Sequence, residues 1–286
     1  MTTALTPEPL KTKFMQRSVS SIWRRPPSDL AARTARCIRD ACEQAAGSGD
    51  VFIFFRADDI AAPGERFLRL MEIFSSHGVP LCLAVVPAWL TDARWKAIEG
   101  IGKKTPGLWC WHQHGWRHAN HAREGKKHEF GSPRTPAELS HDILCGRQRL
   151  HSLMDKSFYP VFTPPWNRCG KEALDVLKAS GYIAVSRNRG SRPPLPPGLM
   201  CFDVDVDLHT RKDAAPGDGW NDLFRELHQA IVRGCCGIMI HHQCMNTAAF
   251  DFLDVLLKAL KAQTRIRLVH FRDLENTAAG DNELKF

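Results

Sequence analysis

Four groups of residues carry chemistry by type and spacing: Asp58-Asp59, His114-x3-His118, Thr163-Pro164-Pro165-Trp166 and His241-His242. Each stands at or just beyond the end of a short apolar run that reads as a strand. Carboxylates and imidazoles gathered at strand ends are what metal-assisted hydrolysis requires, since it needs ligands, a base and an acid around one reacting centre. Two adjacent carboxylates normally point apart, but at a strand end one can bind a cation while the other faces the cation's open side. The cation also removes the repulsion that would otherwise raise a carboxyl pKa. His114 and His118 are four apart, which on a helical turn puts both imidazoles on one side. One carboxylate and two imidazoles leave positions for water and substrate. His112 and His121 are within reach by sequence, so the ligand set stays open.

The elements that must position these groups alternate along the chain. Val51 to Phe55, Pro80 to Val86, Leu108 to Trp111, Tyr159 to Thr163, Ile183 to Ser186, Leu199 to Val204, Gly237 to His241 and Ile266 to Phe271 read as strands. Between them lie helical patterns, among them Phe67, Leu70, Met71 and Phe74 at helical spacing. Thr135-Pro136-Ala137-Glu138 has a cap, a proline at the first helical position and a glutamate at the third. Strands regularly separated by helices imply a parallel sheet with right-handed crossovers. Candidate residues follow at least four different strands, which favours a barrel rim over the single crevice of an open sheet. The expected fold is therefore α/β, a (β/α) barrel of seven or eight parallel strands. Residues 1–27 read as an extension and 28–286 as a single catalytic domain. The segments 117–136 and 187–197 are expected to wall a substrate groove.

Composition narrows the function classes. The chain of 286 residues has no run of 18 apolar residues, which excludes a membrane-spanning helix. Its first residues lack the apolar segment of a secretory signal, so a cytoplasmic protein is expected. No C-x2-C pair occurs among the ten cysteines, which argues against a structural zinc knuckle and for reduced core thiols. The net charge of +8 is spread along the chain without a nucleic-acid motif, so no nucleic-acid partner is expected. An oligomer remains open.

Taken in order over about residues 50 to 245, the motifs resemble the polysaccharide deacetylases, carbohydrate esterase family 4 in the broad sense. That resemblance implies a distorted (β/α) barrel, with Asp58 as general base, Asp59, His114 and His118 as ligands of a divalent metal, and His241 as general acid, with His242 able to exchange for it. It also implies that Trp166 gives a backbone N–H to the oxyanion and forms a groove wall. Two departures mark a divergent branch. The family's arginine before the double proline is Thr163 here, and Arg56 or Arg187 could replace it. The acidic strand end is expanded to Asp203-Val-Asp205-Val-Asp207, which leaves the partner of the histidine ambiguous. Zinc is the expected metal, with cobalt, nickel and manganese also compatible with the ligand set.

The expected activity is removal of an N-acetyl group from an amino sugar or glycoconjugate. Trp116, Pro165, Asp205, Arg187 and Met239 are the expected substrate contacts, with Phe162 beside Met239 in the acyl pocket. Two rivals stand beside it: hydrolysis of another non-peptide C–N bond, such as a formamide or cyclic amide, and a catalytically silent carbohydrate-binding protein.

Overall fold

In the computed structural model, residues 18–280 are described apart from 46, 48, 213 and 214, so residues 1–17 of the expected extension lie outside the described residues. The described residues form nine strands, separated by helices except from β5 to β7: β1 (Val51–Ile60), β2 (Leu81–Val85), β3 (Trp109–His114), β4 (Phe158–Thr163), β5 (Ala184–Val185), β6 (Met200–Cys201), β7 (Val206–Asp207), β8 (Cys235–Ile240) and β9 (Ile266–Val269). The helices are α1 (Leu30–Gln44), α2 (Glu65–His77), α3 (Asp92–Gly102), α4 (Pro136–Met154), α5 (Lys171–Ala179), α6 (Pro216–Val232), α7 (Thr247–Lys261) and α8 (Phe271–Gly280). All pairings are parallel, and the sheet runs β6-β5-β4-β3-β2-β1-β8-β7. β9 takes the first part of β1, from Val51 to Phe54, while β2 pairs from Arg56 onward.

The sheet is a curled, open ladder whose two ends are joined through the chain itself. β6 and β7 belong to one extended stretch. Its first half bonds to the β5 side, with the N–H groups of Phe202 and Val204 donating to the carbonyls of Val185 and Arg187. Its second half bonds to β8, with the Asp205 and Leu208 N–H groups donating to Gly237 and Met239. The result is a distorted barrel, as the resemblance implied.

Strand alternation divides the core in two. On β1, Val51, Ile53, Phe55 and Ala57 join the large cluster between sheet and helices, while Phe54 points to the barrel interior with Cys82, Cys110, Val161, Ala184, Phe202 and Met239. Phe271 plugs the lower end, where its ring meets Phe54, His112 and Phe202 at centroid distances of 5.2, 5.0 and 5.0 Å. The last strand was expected to reach Phe271; instead it stops at Val269, and Phe271 opens α8. The capping box at Thr135 forms, with the Glu138 N–H donating to Thr135 Oγ1 and Thr135 N–H donating to Glu138. A short 3-10 turn, Ser21–Arg24, packs Ile22 and Trp23 into the core. None of the ten cysteines is joined in a disulfide. Among the described residues no helix is long and apolar enough to cross a membrane.

Candidate metal centre

The site grows from an exception to alternation. Phe54, Arg56 and Asp58 follow one another up the inner face of β1, so Asp59 should point outward with Ala57. It does not, because its φ is +62° and the β1–β2 register shifts between Ala57 and Ile60. The left-handed backbone turns Asp59 inward beside Asp58, which is how two neighbouring carboxylates come to face one space. Such backbone costs roughly 1–3 kcal/mol for a non-glycine residue. His118, Trp166 and Asn167 share the strain, with φ of +55°, +55° and +58°.

Asp59 Oδ1 lies 3.3 Å from His114 Nε2 and 3.2 Å from His118 Nε2. The three donor atoms lie within 4.8 Å of one another. A tetrahedral ion with arms of about 2.0–2.1 Å has donor–donor edges of roughly 3.3–3.4 Å, so the set fits a divalent metal such as zinc. His114 Nδ1 is 3.0 Å from the Thr163 carbonyl. That carbonyl can only accept, so the proton sits on Nδ1 and the Nε2 lone pair is left for the metal. Asp59 is held well below the usual carboxylate range: burial pushes it up, but His114 and His118 outweigh that.

The loop that delivers His118 is not the helical turn that the spacing suggested. β3 ends at His114, Gly115 turns at φ +60°, and residues 116–122 follow without helix. A Cβ on Gly115 would meet Glu129 Oε2 at 2.3 Å and Pro165 Cγ at 2.5 Å, so only glycine fits. Glu129, fully buried, explains the loop's shape. Its carboxylate accepts from the N–H groups of Trp116 (3.2 Å), Arg117 (2.7 Å) and His118 (3.2 Å). Gln243 also ties the centre together, its side chain donating to the Asp59 carbonyl at 2.8 Å.

Asp58 is gripped by Arg56 in a two-pronged pair, with Nε to Oδ1 and Nη2 to Oδ2 both at 2.8 Å. The guanidinium is itself fixed by Ser186 Oγ (2.9 Å) and Asn167 Oδ1 (2.7 Å), with Met239 Sδ at 3.0 Å. Burial alone would raise the Asp58 pKa, yet the Arg56 charge, His114, His241 and the paired hydrogen bonds bring it below the ordinary carboxylate value. Thr163, where the resemblance has an arginine, meets His112 Nε2 at 2.9 Å through its hydroxyl. His112 is thus buried beneath the centre, outside the ligand set, and burial, followed by the nearby Arg56 charge, pushes its pKa down to about 3.

On β8, Gly237, Met239 and His241 share the inward parity. His241 faces the aspartates, and its N–H donates to His209 Nδ1 at 3.3 Å. His242 turns away against Phe67, with ring centroids 5.9 Å apart, and burial drives its pKa down to about 3. Trp166 stands over His118 at 4.4 Å and Trp89 flanks the same ring at 5.6 Å.

Several expected contacts lie elsewhere. Asp205 is spent on Arg189, on Arg233 Nη2 at 2.6 Å and on the Gly237 N–H at 3.0 Å, below the rim. Asp203 accepts from the Cys201 thiol, and Asp207 caps the N–H groups of His209 and Thr210. No hydrogen bond or ion pair joins any of the three to His241 among the described residues. Ser186 takes the inward position on its strand, so Arg187 points to the opposite face and donates to the Pro193 carbonyl at 2.6 Å. Trp116 packs on the core between sheet and helices, as does Phe162, and Pro165 is buried on Gly115. Met239 reaches the interior but lies beneath Asp58, against Arg56. Sequence reasoning missed Glu129, Ser186, Asn167, His209 and Trp89. Only Asn167, next to Trp166 in the double-proline loop, carried a local signal.

Solved structures share this architecture. A Mycobacterium smegmatis protein named as a candidate polysaccharide deacetylase superposes with a TM-score of 0.65 at 13% identity, over 84% of this chain and 94% of its own. A family 4 acetyl xylan esterase from Clostridium thermocellum, solved with cobalt, gives 0.54 at 11% identity, over 80% and 92%. A family 4 pseudoenzyme from Bacillus anthracis gives 0.50 at 12% identity, over 76% and 63%. No protein-family model and no curated protein matches the chain. At these identities the likeness is one of fold: the chain has the architecture of the polysaccharide deacetylases in a divergent form, with an Asp59-His114-His118 triad able to hold a divalent metal at its rim.

Proposed function

We propose that the protein is a metal-dependent hydrolase that removes the N-acetyl group from an amino sugar or glycoconjugate. The observation that carries this reading is the Asp59-His114-His118 triad with an ion-paired second carboxylate, Asp58, beside it. A binding protein has no need of a separate carboxylate held ionised next to a metal triad. A divalent ion bound by the triad would supply Lewis acidity toward an amide carbonyl. The remaining steps belong to the chain. Asp58, kept ionised and in one rotamer by Arg56, accepts the proton of the attacking water. The Trp166 N–H lies in the first turn of a 3-10 helix, where it has no intrahelical acceptor, and so it can donate to the developing oxyanion. His241, as imidazolium, gives a proton to the leaving nitrogen, so acetate and an amine leave. Trp166 and Trp89 offer faces on which a sugar ring can lie.

Elemental analysis of the purified protein, followed by acetate release from N-acetyl sugars with zinc, cobalt, nickel or manganese supplied, tests the reading. One bound divalent ion per chain and acetate release abolished by Asp59→Asn are expected. A metal-loaded protein that frees no acetate from any N-acetylated sugar refutes it.

A further inference from the structure

Arg187 is 3% exposed, and its guanidinium is poorly matched by what surrounds it. Nη2 donates to the Pro193 carbonyl, while Nε and Nη1 make no hydrogen bond among the described residues. A buried cation normally finds a carboxylate or a full set of acceptors. The neighbouring acids are engaged elsewhere: Asp205 with Arg189 and Arg233, Asp203 with the Cys201 thiol and, at 3.9 Å, with Arg189.

Arg187 lines a cavity of about 360 Å³ under the loop that follows β5. Ser191, Arg192, Cys201 and Asp203 supply the rest of its polar lining, and Pro194, Leu195 and Leu199 its apolar lining. Small-ligand sites have this composition, an apolar lining with a few polar groups that fix one end. The cavity lies on the outer face of the strand, since Ser186 occupies the inner face on Arg56.

We propose that this cavity binds a small organic carboxylate, its oxygens on the Arg187 guanidinium and the Ser191 hydroxyl and its apolar body against Leu195 and Leu199. A guanidinium fork matches a carboxylate in two parallel hydrogen bonds, and the apolar wall favours a hydrocarbon body over a fully hydrated inorganic anion. The site is independent of the hydrolase reading, and binding there needs no reaction to be observed.

Metal-loaded full-length protein is titrated with hexanoate, benzoate and inorganic phosphate at fixed ionic strength, following Tm and binding heat. Hexanoate or benzoate should bind saturably to the wild type and to His114→Ala. Arg187→Met should weaken that binding at least about tenfold, as loss of a charge-assisted pair requires. Ser191→Trp, which fills the cavity and keeps Arg187, should also block it, and decides the matter if Arg187→Met does not fold. The proposal is overturned if neither carboxylate binds saturably, or if phosphate binds in their place. Binding that survives both cavity variants, or that disappears with His114→Ala, also overturns it, the last because the carboxylate then sits at the metal centre.

Discussion

At the scale of single residues, the Arg56–Asp58 pair decides whether Asp58 is ionised at neutral pH. A buried carboxylate without a partner would take up a proton, and the guanidinium is what prevents it. Asp58→Asn should leave metal content near wild type and lower turnover by roughly 100-fold, the scale for a positioned base. Metal analysis and steady-state rates check this; loss of metal would mean that Asp58 is a ligand. Arg56→Met removes the charge that holds the Asp58 pKa down, so the acidic limb of the pH–rate profile should move to higher pH. The same change leaves a buried carboxylate unpaired and should cost about 3–5 kcal/mol in chemical denaturation. The sign follows from the depressed folded-state pKa: the pair's stabilisation is complete above the ordinary aspartate value and is lost only as pH falls through it toward the folded one. A profile that does not move would mean that Asp58 is oriented by some other group.

At the scale of elements, the loop between β3 and α4 is built around a carboxylate rather than around a helix. Glu129→Gln keeps the size of the side chain but replaces one acceptor oxygen with a donor that faces backbone N–H groups. Metal affinity, read by competition with a chelating dye, should fall about 10–100-fold, as for other groups that support a ligand, while the fold persists by circular dichroism. Unchanged affinity would show that His118 is held without Glu129. This loop also marks where the sequence stops being legible. His-x3-His announces two ligands, but the helical geometry attached to that spacing fails, because a glycine at φ +60° and a glutamate eleven residues beyond His118 set the path. Arg56 was readable because i and i+2 share a strand face, and β1 keeps that rule as far as Asp58. Asp205 pairs with Arg189, Arg233 and the Gly237 N–H, partners that lie far apart in sequence and that no local pattern announces. Ser186 and His209 reach the site only through tertiary packing, and no local pattern distinguishes them from ordinary turn or strand residues.

At the scale of the molecule, the fold buries several histidines in neutral form. Burial pushes His112 and His242 down to about 3, and His209 is also held well below its ordinary value by burial and by the neighbouring histidines. In the unfolded chain these rings take up protons near 6.5, whereas in the fold they do not. Stability is therefore lost as pH falls from about 6.5 toward about 3, each ring adding a slope of roughly 1.4 kcal/mol per pH unit within that window. Urea midpoints measured between pH 7 and pH 4.5 should fall steadily, and less steeply in His242→Gln. A flat midpoint over that range would mean that the rings are accessible or already charged.

Trp23 adds an order in time to these contacts. Its indole N–H donates to the carbonyl of Leu208, 185 residues away, and its own carbonyl accepts from Asn246, 223 residues away. Its ring packs on His209, the imidazole that receives the His241 N–H. Closing loops of that length is entropically costly, so such contacts form after local ones have prepared their receiving surface. Trp23 precedes its partners along the chain by about 200 residues and must wait for α6 and α7 before it has anywhere to dock. The wall behind His241 therefore needs the two ends of the chain brought together, the same closure that the β1–β8 and β1–β9 pairings require.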